Sequence, residues 1–253
     1  MAAIEYQNVC KRFSGSDAWA VDHVCAKIET GEFITILGSS GCGKTTLLKL
    51  TNRLYDSDDG MILIHGEDIA GKDPVELRRS MGYVIQQVGL FPHMNIQDNI
   101  TVIPRLLKWK KNDMEKRACE LLELVGLEPD KFRKRYPSQL SGGQQQRIGL
   151  ARALVLDPEI MLLDEPFGAI DAITRLNLQN ELLRIHGGLK KTFLLVTHDI
   201  NEAFKLGNRV MIMNAGRLLQ FDTPKNIVKH PADPFVQSLI DSAIMQEQFW
   251  KDA

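Results

Sequence analysis

Three strings in this chain combine residue types that chemistry on a phosphate requires. The first is Gly38-Ser39-Ser40-Gly41-Cys42-Gly43-Lys44-Thr45, with Thr46 following. Glycines at 38, 41 and 43 let successive backbone N–H groups turn inward as an anion nest, and the helix that follows adds the positive end of its dipole. Lys44 supplies a point charge for β- and γ-phosphates, and the Thr45 hydroxyl is a donor for Mg²⁺. The second string, Ile160-Met161-Leu162-Leu163-Asp164-Glu165, is an apolar run ending in two carboxylates. At the carboxyl end of a buried strand, Asp164 can hold Mg²⁺ while Glu165 polarises an attacking water as general base. Alternation along the strand end is expected to direct the two side chains apart, with Pro166 breaking the strand.

The third string, Leu140-Ser141-Gly142-Gly143-Gln144, repeats the logic of the first: N–H groups at a helix start, a hydroxyl, and no bulky side chain. It reads as a second phosphate-binding surface. Ser141 is expected to cap that helix, with Gln144 as the partner of a capping box. Cys42 lies near a helix N-terminus, where a thiol's pKa falls, although a small-residue slot in the loop explains it more simply. An Asn-Lys-x-Asp string, which would select guanine, is absent.

These residues need elements to hold them. Phe33–Leu37, Gly82–Ile85, Ile160–Leu163 and Thr192–Val196 are short, apolar and rich in branched side chains, as buried parallel strands are. Helix-compatible stretches follow most of them, so the fold class expected is α/β. Ile4–Val9 and Met61–Ile64 add antiparallel strands at one side. Between about 90 and 155 the strand signal stops, and Met114, Ala118, Leu121, Leu122 and Val125 recur at helical spacing. The expected organisation is therefore one domain over 1–253, with an α/β core of 1–88 and 159–253 and a helical insertion of 89–158. An apolar stripe at Phe235, Val236, Leu239, Ile240, Ala243 and Ile244 should pack a last helix on its own core.

Composition bounds the rest. With 253 residues, 44% of them hydrophobic, the chain can bury a full core. Its 31 Lys and Arg against 32 Asp and Glu leave no bulk attraction to nucleic acid. No secretory signal and no apolar run of roughly 18 residues is seen, so a soluble, cytoplasmic chain is expected. Cys10, Cys25, Cys42 and Cys119 show no CxxC pair, which argues for free buried thiols rather than zinc or disulfides.

Together the three strings resemble the ATP-binding subunit of ABC transporters, and the resemblance runs over nearly the whole chain. It implies a P-loop NTPase core with a parallel sheet, an N-terminal antiparallel β subdomain and an inserted α-helical subdomain. It implies that Gln86 reaches Mg²⁺ and the nucleophilic water, with Gln87 next to it as the other reading, and that His198 contacts the γ-phosphate. Ala169-Ile170-Asp171 matches the loop that communicates across a dimer, with Ile170 where Leu is more usual. Phe13 fits the aromatic that stacks on adenine, with Trp19 as its rival. Ser141-Gly142-Gly143 would contact the γ-phosphate held by another subunit, so two chains would close head-to-tail around two ATP molecules. Each motif occurs once per chain, which requires a second copy or a paralogue.

The family also implies a permease partner, and indirectly a substrate-binding protein or domain, which would place the chain at the cytoplasmic face of a cell membrane. Gly89-Leu90-Phe91-Pro92-His93-Met94 would line the groove for a short permease helix. The finer resemblance, carried by Tyr83 to Met94, Asp98-Asn99-Ile100 and Ile103-Pro104 before Trp109, is to importers of quaternary amines such as glycine betaine, choline or carnitine. Importers of other small solutes, amino acids and polyamines among them, share much of this pattern. Soluble ABC ATPases acting on nucleic acid or ribosomes form the remaining class.

Overall fold

The computed structural model describes residues 2–86, 88–168 and 170–252, the side chains at 246, 247 and 249–252 excepted. Gln87 and Ala169, both named above, lie outside the described residues. The strands are β1 (Ala2–Lys11), β2 (Val21–Glu29), β3 (Phe33–Gly38), β4 (Asp59–Ile64), β5 (Glu67–Asp68), β6 (Met81–Val84), β7 (Ile160–Asp164), β8 (Thr192–Thr197), β9 (Arg209–Asn214) and β10 (Arg217–Asp222). Two compact units emerge, one of residues 1–78 with 192–253 and one of residues 79–191.

In the first unit β2, β1, β4 and β5 form an antiparallel sheet in that order. A second set runs β10-β9-β3-β8, with β3 parallel to both β8 and β9. Every residue of β3 and β8 is buried, which is why both read as continuous apolar runs without alternation. Phe33 and Phe193 meet across this pair with ring centroids 5.3 Å apart. β9 and β10 are joined at Ala215 and Gly216, whose φ angles of 45° and 82° match the right-handed twist of a tight hairpin.

Leu37, Val210 and Ile212 share a core cluster with Ile227, Val236 and Ile240, and Phe235 and Leu239 pack against it. The terminal stripe thus packs on its own unit as expected, but only in its first half: Ile244 is 44% exposed.

In the second unit β6 runs parallel to β7. β6 ends at Val84 rather than Ile85, whose side chain is 40% exposed. Among the described residues, the segment between β6 and β7 holds helices only, including Ile96–Ile100, Lys111–Leu124 and Gly142–Ala153. Ala118, Leu121 and Leu122 are buried at the expected spacing. Helix Ala172–Leu189 follows β7. The expectation of buried thiols needs correcting, because Cys10 and Cys42 are buried whereas Cys25 is exposed and Cys119 half-buried. All four are free.

Candidate functional site

The first unit carries the phosphate loop, His198 and Phe13; the second carries Gln86, the Ser141–Gln144 helix start, Asp164, Glu165 and Asp171. The loop leaves β3 at Gly38 and enters helix Lys44–Thr51 through Gly43, whose left-handed φ of 103° forms the helix N-cap. Glycine is required there twice over, because a Cβ at 43 would also sit 2.0 Å from the Ala20 carbonyl oxygen. Ser39, Ser40 and Gly41 are exposed, and Thr45 and Thr46 are half-buried.

Lys44 is only 5% exposed. Its Nζ donates to the carbonyl oxygens of Gly38 and Ser39, each at 2.8 Å, and lies 4.0 Å from Cys42 Sγ. The carbonyls of Gly38 and Ser39 therefore hold the ammonium within the loop. Burial pushes the Cys42 thiol up despite Lys44 nearby, the direction opposite to an activated thiol and in keeping with a small-residue slot in the loop.

Beyond β8, Asp199 caps helix Ile200–Leu206 by accepting from the N–H groups of Asn201 at 2.8 Å and Glu202 at 3.3 Å. Thr197 Oγ1 accepts from Asp199 N at 3.0 Å and donates to the buried Glu202 carboxylate at 2.7 Å. These bonds brace the turn that carries the exposed His198. Neither aromatic near the N-terminus belongs to the core. Phe13 is 40% exposed and edges onto Tyr55 at 5.2 Å, while the Arg12 guanidinium lies 5.0 Å from the Trp19 ring. Both line an open cleft of about 570 Å³ with Arg12, Ser14, Asp17 and Asp58.

In the second unit Asp164 is the last residue of β7 and is 6% exposed. The Tyr83 hydroxyl donates to its Oδ2 at 3.4 Å. Glu165 follows with a left-handed backbone, φ 44°, rather than continuing the expected strand alternation. Such a conformation costs a non-glycine residue about 1–3 kcal/mol and persists where the surroundings impose it. Gln86 is exposed and comes to this carboxylate: its Nε2 donates to Glu165 Oε2 at 3.1 Å. Its amide oxygen is not engaged in that bond.

The Ser141 capping box forms as expected, with Gln144 N donating to Ser141 Oγ at 3.3 Å and Ser141 N to Gln144 Oε1 at 3.1 Å. A Cβ on Gly143 would lie 2.4 Å from Thr174 Cγ2, so the small residue lets this helix start meet the start of Ala172–Leu189. Asp171 caps that second helix by accepting from Thr174 N at 3.0 Å, and this bond holds its carboxyl below the usual range. The structure therefore brings together Ser141-Gly142-Gly143 with the Asp171 turn, and Gln86 with Glu165.

Two residues have roles that the sequence did not indicate, Asn99 being named above only as part of a string. Asn99, completely buried, accepts from Phe91 N at 2.7 Å and donates to the carbonyls of Phe91, Met94 and Asn95 at 3.0–3.1 Å. This pins the 91–95 loop and leaves the Phe91 ring 39% exposed. Arg152 grips Val88 and Gly89. Its only sequence signal was a cation four residues after Ile148, on the buried stripe of an amphipathic helix.

One further donor set, Cys10, Asp22 and His23, lies within 4.8 Å. His23 and Arg217 already engage Asp22, at 2.7 and 2.6 Å, and hold its carboxyl low. These residues are an ion-paired brace among β1, β2 and β10. Among the described residues, no helix is long and apolar enough to cross a membrane.

Residues 21–168 match the family described as ABC transporter. The chain is 53% identical to the choline transport ATP-binding protein OpuBA of Bacillus subtilis over 92% of its length. It is 50% identical to the osmoprotectant import ATP-binding protein OsmV of Salmonella typhimurium over 94%. It spans 61% and 63% of those two proteins, about six-tenths of each. Among solved structures it is similar to the dimeric ATP-binding cassette MJ0796 bound to ADP and Pi. The TM-score there is 0.77 at 33% identity, covering 87% of this chain and 98% of that one. The phosphate loop, the strand-end carboxylates and the architecture that carries them have one common explanation: the chain is an α/β ATP-binding cassette and belongs to the ABC transporter family.

Proposed function

We propose that this chain binds and hydrolyses ATP as the energising subunit of a membrane importer for quaternary amines or related osmoprotectants. One observation carries the chemistry: Glu165 is held in a strained backbone conformation with Gln86 hydrogen-bonded to its carboxylate. A carboxylate placed this way suits a general base for water. Lys44 and the loop amides then bind the phosphates, His198 serves the γ-phosphate, and Phe13 or Trp19 takes the adenine.

Mg²⁺ enters this reading on the chemistry of the donors. A threonine hydroxyl at Thr45, an amide oxygen at Gln86 and a carboxylate at Asp164 are the hard oxygen ligands it prefers. When bound, it would supply charge neutralisation at the phosphates.

The reading includes a homodimer. Ser141-Gly142 is an exposed, capped helix start with the features of a phosphate site, present once in the chain, and a second copy would provide its ligand. Specific hydrolysis by the purified chain is therefore expected to rise with protein concentration in the presence of Mg²⁺ and ATP. Turnover independent of concentration in a protein that stays monomeric would refute the composite site.

The cargo class rests on the names of the relatives, which transport choline, carnitine, glycine betaine and osmoprotectants. A permease partner follows from the same names, with a substrate-binding protein or domain behind it, and would hold the chain at the membrane's cytoplasmic face. Phe91, presented outward by the Asn99 clamp, is the contact proposed for that permease. Phe91→Asp is expected to abolish transport in the assembled importer while basal hydrolysis stays within about twofold, since a surface substitution costs little stability. Equal loss of both activities would sink the assignment.

A further inference from the structure

The helix that begins at Ser141 grips the chain just after Gln86 at two points three residues apart, on one helical face. A Cβ on Gly149 would lie 2.6 Å from Val88 Cγ1, so the missing side chain makes a socket for Val88. One turn on, Arg152 Nη1 donates to the Gly89 carbonyl at 2.8 Å and Nη2 to the Val88 carbonyl at 2.5 Å. The planar fork of a guanidinium matches two successive carbonyls, which a lysine's single point charge does not. Burial of this guanidinium lowers its pKa, yet a group of that basicity stays charged, so the clamp persists at every physiological pH.

Gln86 itself is exposed. The described anchors near it are Glu165, through the 3.1 Å bond, and the clamped carbonyls two and three residues downstream. We propose that Arg152 is a positioning residue for the hydrolytic reaction. By fixing Val88 and Gly89 onto the helix of the second phosphate surface, it sets where Gln86 begins and so holds the Gln86–Glu165 hydrogen bond in register. The inference rests on Glu165 being the general base.

The test is steady-state MgATP hydrolysis by the full chain carrying Arg152→Lys, Gly149→Ala, Gln86→Ala, and each of the first two combined with Gln86→Ala. Gly149→Ala pushes Val88 out of its socket with no change of charge, so it probes the same segment independently. Each single change at 149 or 152 is expected to lower kcat about tenfold with KM for ATP within about twofold, a coupling ordinary for residues acting through a shared partner. In the Gln86→Ala background neither is expected to slow the enzyme further. Losses that multiply in the double variants would overturn the proposal, as would unchanged kcat in both single variants with thermal midpoints near the parent's. Glu165→Gln, measured beside them, separates the two levels: if it hydrolyses ATP at the parent rate, the general-base reading has failed whatever Arg152 does.

Discussion

A Glu165→Gln chain given saturating ATP and Mg²⁺ is expected to migrate as a dimer and to lose hydrolysis by about 10²–10⁴-fold, the usual contribution of a positioned general base. The replacement is nearly isosteric. The amide oxygen it introduces can accept from Gln86 Nε2 as the Glu165 carboxylate does at 3.1 Å, and the left-handed backbone at φ 44° is equally demanding of either side chain. Only the basicity is removed, so ATP would remain at the interface it helps to form. Size-exclusion with light scattering reads the mass, and phosphate release reads the rate. A protein that stays monomeric contradicts the composite site, and one that hydrolyses normally contradicts the base.

Lys44→Ala is expected to weaken ATP binding by about 10–100-fold, since a hydrogen bond to a charged group contributes roughly 1.5–3 kcal/mol. A second effect follows from where the ammonium sits. It satisfies the carbonyls of Gly38 and Ser39 from a side chain only 5% exposed, so truncation leaves the buried Gly38 acceptor without it. The cost is about 1–3 kcal/mol of stability. Nucleotide titration and thermal melts with and without ATP separate the two effects, because a binder is stabilised by its ligand in proportion to RT ln(1 + [L]/Kd). An unchanged ATP-induced shift in the variant would remove Lys44 from the phosphate site.

The elements nearest the proposed chemistry were legible in the sequence for a local reason. The loop glycines, Lys44 and Thr45 act within eight consecutive residues, and the Ser141–Gln144 capping box closes over four. β3, β7 and β8 declared themselves because strands buried on both faces have no choice but continuous apolar residues. β2 and β10 did not, since both are only partly buried and a pairing partner, more than local preference, defines them; β9, buried from Val210 to Met213, has the apolar run and escaped the sequence reading all the same. The Asn214-Ala215-Gly216-Arg217 turn was the available hint for the hairpin of β9 and β10.

Alone, the sequence determined that this chain carries two glycine-flanked helix starts of the kind that suits phosphate, a strand-end carboxylate pair and the family to which they belong, because each is a string of neighbours whose backbone geometry is dictated on the spot. Tertiary structure decided what surrounds them. It turned Glu165 out of the strand direction, brought Gln86 to it from 79 positions away, pinned the 91–95 loop with Asn99 and fastened Val88 and Gly89 to Arg152 more than 60 positions along the chain. It also raised the Cys42 thiol that local reasoning would lower, because burial is a property of the packed unit and not of the loop. A hydrogen bond between distant residues leaves no periodicity in either segment, so only the fold that closes the intervening chain shows which polar groups meet.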